Sequence, residues 1–146
     1  MGDKSYLALT AGWLAHCCLA LGRHDDADEY AAVAEHAAAR SWVAAQVSWR
    51  GARARLLAHS GDAAAAEALA TEAVELALRT DRPDTQTDAL MDLAEVLRVA
   101  GREADAIPVV EDALRRYERK EVLPAAARAR ALLEALAAAV AVKAGV

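Results

Sequence analysis

At 146 residues and a formal net charge of −5, the chain has the size of one domain, and its acidity weighs against nucleic acid, which wants a basic face. Alanine supplies more than a quarter of the residues, phenylalanine is absent, and three prolines and seven glycines are the only strong breakers, so helix is expected throughout and strand runs are not. The two cysteines, Cys17 and Cys18, are neighbours that diverge by about 100° on a helix, which excludes a disulfide framework and makes a reducing, cytoplasmic compartment the expected home.

Seven helices are expected in chain order, near residues 4–21, 24–39, 42–60, 63–80, 85–100, 102–120 and 124–142. The first, YLALTAGWLAHCCLALG, is apolar almost all round, but it is interrupted and shorter than the roughly 20 apolar residues a membrane span needs. No basic region followed by an unbroken apolar core marks a signal peptide. Asp25 and Asp26 open the second helix, Ser41 is the expected cap of the third, and Asp62 opens the fourth. Pro83 and Asp84 stop the fourth helix and start the fifth. Pro108 lies about two turns inside the sixth, where a missing backbone donor should bend it, and Pro124 breaks the chain before the seventh.

Three glycines set a register. Gly22, Gly61 and Gly101 are separated by 39 and 40 residues. Seven residues before each stands alanine (Ala15, Ala54, Ala94); five after each, alanine again (Ala27, Ala66, Ala106); twelve after each, alanine once more (Ala34, Ala73, Ala113). Apolar residues also recur four before (Cys18, Leu57, Leu97) and nine after (Ala31, Ala70, Val110). Glycine tolerates the left-handed conformation that ends a helix, and acidic residues suit the start of the next. Each glycine is therefore read as the turn of an antiparallel helix hairpin, with alanines facing inward because larger side chains would hold the helices apart. A single hairpin cannot bury its apolar stripe, so neighbours stack, as in a helical repeat array.

Little in the chain carries chemistry. His16, His24, His36 and His59 are not spaced as zinc ligands; His24 beside Asp25, Asp26 and Asp28 reads as a solvated helix start. No acid is placed to complete a triad with His59 and Ser60. There is no paired-carboxylate motif, no metal-binding aspartate pair and no glycine-rich phosphate loop with lysine. The expectation is no enzyme, no cofactor and no metal.

The glycine-and-alanine register resembles the tetratricopeptide repeat, with units longer than the usual 34 residues. The resemblance implies an all-α, right-handed helical-hairpin solenoid filling residues 1–146: three hairpins at about 4–39, 42–80 and 85–120, and a capping helix at 124–142. DALMDLAEVLRVAGREADAIPVVEDALRRYERKEVLPAAARARALLEAL, residues 88–136, further resembles the C-terminal repeat tail of actinobacterial proteins that join an adenylate or guanylate cyclase domain to an ATPase domain. YERK at Tyr117–Lys120 and AAARARALL at Ala125–Leu133 carry most of that likeness. The repeat resemblance implies a protein-interaction or self-association module; the narrower one implies a context and no activity for this chain. The alternative it implies is a regulatory C-terminal segment of a multidomain cyclase/ATPase or transcriptional regulator.

In such repeats the first helix of each hairpin lines a concave face. The resemblance places there His16, Leu19 and Ala20; Ser48, Gly51, Arg55 and His59; and Asp88, Met91, Asp92, Glu95 and Arg98. Some relatives clamp a terminal carboxylate with lysine and asparagine; neither occurs at these positions, and the acidic third unit suits a basic or neutral partner segment. Trp42 and Trp49, seven apart on one helix face, are expected to pack between hairpins. Trp13 has no place within its own hairpin. A terminal repeat normally shows a polar outer face, yet Leu7, Leu14 and Leu21 recur every seven residues beside Trp13. With Met1 opening the chain, the expected cover is a second copy in a two-fold dimer, with the apolar seventh helix as a rival surface.

Overall fold

The computed structural model describes residues 2–145. Among them the chain forms seven helices and no strand: α1 (Gly2–Ala20), α2 (His24–Ala37), α3 (Val43–His59), α4 (Ala63–Leu78), α5 (Pro83–Val99), α6 (Glu103–Arg119) and α7 (Leu123–Lys143).

Gly22, Gly61 and Gly101 all stand at positive φ, 71°, 94° and 75°. Around each, two hydrogen bonds close the same helix end. At the third, Arg102 N donates to Leu97 O (2.9 Å) and Gly101 N to Arg98 O (3.0 Å), the paired pattern that uses up the last free carbonyls of a helix. The turn between α6 and α7 repeats this geometry without a glycine: Glu121 sits at φ 55°, and Val122 N donates to Tyr117 O at 3.1 Å. Pro124, expected to make that break, instead occupies the first turn of α7, where its missing donor costs nothing.

A further local expectation is corrected. Ser41 does not cap α3: the helix begins at Val43, Trp42 is its flanking residue, and no side-chain cap bond forms. The join from α2 is tied instead by Gln46, whose Nε2 donates to the carbonyls of Ala38 (3.1 Å) and Ala39 (3.2 Å). One period later Gln86 does the same, donating to Thr80 O at 2.6 Å. At Pro108, α6 runs on without interruption. The carbonyl it deprives of a partner belongs to Ala104, near the helix start, and both residues lie on the exposed side.

The helices meet through alanine. α1 packs on α2, α3 on α4 and α5 on α6; α3 also packs on α1 and α2, α5 on α3 and α4, and α7 on α6. Ala15, Cys18, Leu19, Ala27 and Ala31 form one cluster with Ala52 of α3. Ala54, Ala58, Ala66 and Ala70 form another with Val96 of α5. Ala94 and Ala106 are both fully buried and share a cluster with Leu97, Val110, Ala129 and Leu136. Side chains this small let backbones approach closely. Lys143 Nζ, donating to Gly101 O (2.8 Å) and Glu103 Oε2 (2.5 Å), fastens the far end of α7 to the α5–α6 turn.

Candidate functional site

Three helices that follow one another in space, α1, α3 and α5, bring together charges far apart in sequence. His16 Nε2 lies 2.9 Å from Asp92 Oδ2, and its Nδ1 lies 2.8 Å from the carbonyl of Gly12. Both partners are acceptors, so only the doubly protonated imidazolium satisfies both. Burial works against that charge, but the Asp92 carboxylate and its hydrogen bond outweigh it and hold the His16 pKa above its ordinary value. Arg55 Nη1 approaches the other oxygen, Oδ1, at 3.5 Å. Asp92 is almost wholly buried, and the backbone of Gly51 leaves the space its carboxylate fills.

The remaining residues expected along the concave face are mostly engaged as well. Glu95 accepts two hydrogen bonds from Arg98, Nε to Oε2 at 2.9 Å and Nη2 to Oε1 at 2.6 Å. Burial would push its carboxyl up, and the Arg98 pairing overrides this and holds it below the usual range. The His59 ring lies against His24, centroids 4.5 Å apart, and burial with that neighbour lowers its pKa. Met91 is half-buried against the α5–α6–α7 cluster. Leu19 is buried in the α1–α2 core, which corrects its placement on an open face. Asp92, likewise, is internal, so the third unit does not present the acidic surface expected of it: its Asp92 and Glu95 charges are met within the chain.

Asp88 is the exception. It lines a cleft of about 430 Å³ where the start of α5, the end of α6 and the start of α7 converge, with Thr87, Arg116, Tyr117, Lys120 and Arg128 around it. Asp88 is exposed at the mouth of this cleft, but crowding by these helices and the charge of Asp92 push its carboxyl up, to about 6. Arg116 is taken by Asp112 at 3.1 Å, and burial raises the Tyr117 hydroxyl. The cleft is not legible in the sequence around Asp88, because its walls come from three helices and its cations, Arg116, Lys120 and Arg128, lie 28, 32 and 40 positions further on.

A different surface carries the apolar residues. Tyr6, Leu7, Thr10, Trp13, Leu14, Cys17 and Ala20 fall within an arc of about 140° on α1, and Leu21, one residue past its end, continues it; all are exposed and none is charged. Tyr6 and Leu21 are 72 % exposed, Trp13 58 %, Leu7 50 % and Leu14 41 %. On α2, Asp28 and Glu35 both pair with Arg53 of α3. Tyr30 and Val33 are exposed on the opposite side of α2, away from Arg53 and α3. Trp42 touches the α1 stripe through an edge contact with Tyr6, centroids 6.2 Å apart. Trp49 lies under the Arg50 guanidinium and donates to Gln46 Oε1 at 3.3 Å.

Among the described residues no three His, Cys, Asp or Glu side chains are grouped to share a metal ion, and no helix is long and apolar enough to cross a membrane. Comparison with protein-family models, curated proteins and solved structures finds no match.

Proposed function

We propose that the chain is a non-catalytic protein-interaction module of the tetratricopeptide type, a right-handed solenoid of three helix pairs closed by α7, working in the cytoplasm. The turn glycines spaced by 39 and 40 residues, each at positive φ, support the repeat, as does the order in which successive helices pack. The observation that carries the binding role is the uncharged stripe on α1. Large apolar side chains exposed together and rimmed by polar residues mark interaction surfaces. The concave face, whose charges other than Asp88 pair with one another, is a framework that holds the units in register, and the end face is where a partner docks.

The test is capture from a cell extract on the immobilised chain, with mass spectrometry reading what is retained, its own chain included. Trp13→Glu with Leu14→Glu should abolish retention, while Asp88→Asn should not. Equal retention by the end-face variant, or none by the unmodified chain, would overturn the proposal.

A further inference from the structure

The α1 stripe has a counterpart on α3 and α5, and in both it faces the preceding helix pair. One period after Cys17 stands Leu56, packed against the α1–α2 core; two periods after it stands Val96, packed on α3 and α4. The equivalents of Leu14 are Arg53, paired with Asp28 and Glu35 of α2, and Leu93, packed on the Ala54–Ala70 cluster. At Cys17 and Leu14 the stripe is thus the face that, in each later unit, is covered by the unit before it, while the counterparts of Leu21, Ser60 and Ala100, stay exposed. Its own residues depart from the later ones in size. Where α1 carries Tyr6 and Trp13, α3 carries Ala45 and Ala52, and α5 carries Thr85 and Asp92, all of them buried. A further helix pair docking as α1–α2 dock on α3 would have to accommodate two exposed aromatic rings where the later units present smaller side chains.

From this we infer that the stripe is covered by the same stripe of a second copy, in a two-fold dimer with α1 antiparallel to α1. The inference rests on the reading of this face as the binding surface. Its area suits the role: Tyr6 and Trp13, each worth roughly 150–250 Å² when fully buried, are both more than half exposed. Leu7, Leu14 and Leu21 carry the patch toward the roughly 800 Å² per partner of a standard interface. The rows Tyr6–Trp13 and Leu7–Leu14–Leu21, spaced by seven, are the seam along which two helices interlock at a shallow angle. Because the stripe is uncharged, meeting its own copy brings no like charges together. A head-to-tail stack on α7 is the poorer match, since Arg128, Arg130 and Glu134 are exposed on that helix and its large exposed apolar residues, Leu123 and Val142, lie at opposite ends.

Light scattering of the whole chain at micromolar concentration should give about twice 15.4 kDa. Trp13→Glu and Leu14→Glu, at exposed positions, should each halve that mass and leave the helical circular dichroism unchanged. A second measurement needs no variant: Cys17 lies within the stripe while Cys18 is buried, so alkylation of Cys17 should slow as protein concentration rises through the dissociation constant. A monomer at all concentrations, a dimer that survives both substitutions, or an alkylation rate independent of concentration would overturn the dimer. A monomer that captures a different protein through Trp13 would overturn the dimer alone; a chain that neither self-associates nor captures anything would overturn the interaction role as well.

Discussion

The Asp92 carboxylate occupies the space a side chain on Gly51 would need: a Cβ placed there would lie 2.0 Å from Oδ2 and 2.8 Å from Cγ. Within a helix, glycine-to-alanine ordinarily gains about 0.5–1 kcal/mol. Here the carboxylate cannot swing away without leaving His16 and Arg55, so Gly51→Ala should lose about 1–3 kcal/mol in urea unfolding, the usual scale of overpacking. In an Asp92→Ala background the same substitution meets no obstacle and should become neutral or stabilising. Equal effects in both backgrounds would show that the contact is not what requires the glycine.

Two groups make stability fall as pH rises. The folded pKa of Asp88, about 6, lies above its ordinary 3.8; the folded chain therefore holds that proton more tightly, and stability declines between the two values. His16 is likewise raised above 6.5, so its contribution is complete below that value and disappears as pH passes through the folded pKa. Asp88→Asn should remove the decline between about pH 4 and 6, and His16→Gln the decline above about 6.5. Thermal unfolding of the three proteins across pH 4 to 9 would check this; parallel curves would contradict both assignments.

The α6–α7 turn asks a glycine's conformation of Glu121, at φ 55°. A left-handed conformation costs an ordinary residue about 1–2 kcal/mol, part of which glycine returns as lost chain entropy. Glu121→Gly should therefore stabilise the protein by about 0.5–1 kcal/mol. Gly101→Val, at φ 75°, should destabilise it by more than about 1 kcal/mol. Denaturation midpoints moving the other way at either site would refute the turn assignment.

Ala94 and Ala106 are fully buried in one cluster between α5 and α6. Leucine at either position should cost about 1–3 kcal/mol, because the helices must separate to admit it. Leucine at Ala104, exposed on the same helix, serves as the control and should change little.

The amino-acid sequence by itself determined the helices, the glycine turns at 22, 61 and 101, and the alanines at their seams, because each depends on neighbours within a few residues or on a period that repeats along the chain. The exposed stripe was legible for the same reason: Leu7, Leu14, Leu21 and Trp13 share a helix face whatever the helix packs against. Glu121 was missed because a charged residue gives no local sign that its backbone must turn left-handed, and Ser41 misled because a capping residue type can lie two positions outside the helix. What only the tertiary structure decided is the use of the charges. His16, Arg55 and Asp92 come from α1, α3 and α5, and nothing in their spacing says that they neutralise one another instead of facing a partner. Burial decided it: a carboxylate brought among three packed helices must find its counter-charges there, and the two nearest cations are the ones the sequence had left open to solvent.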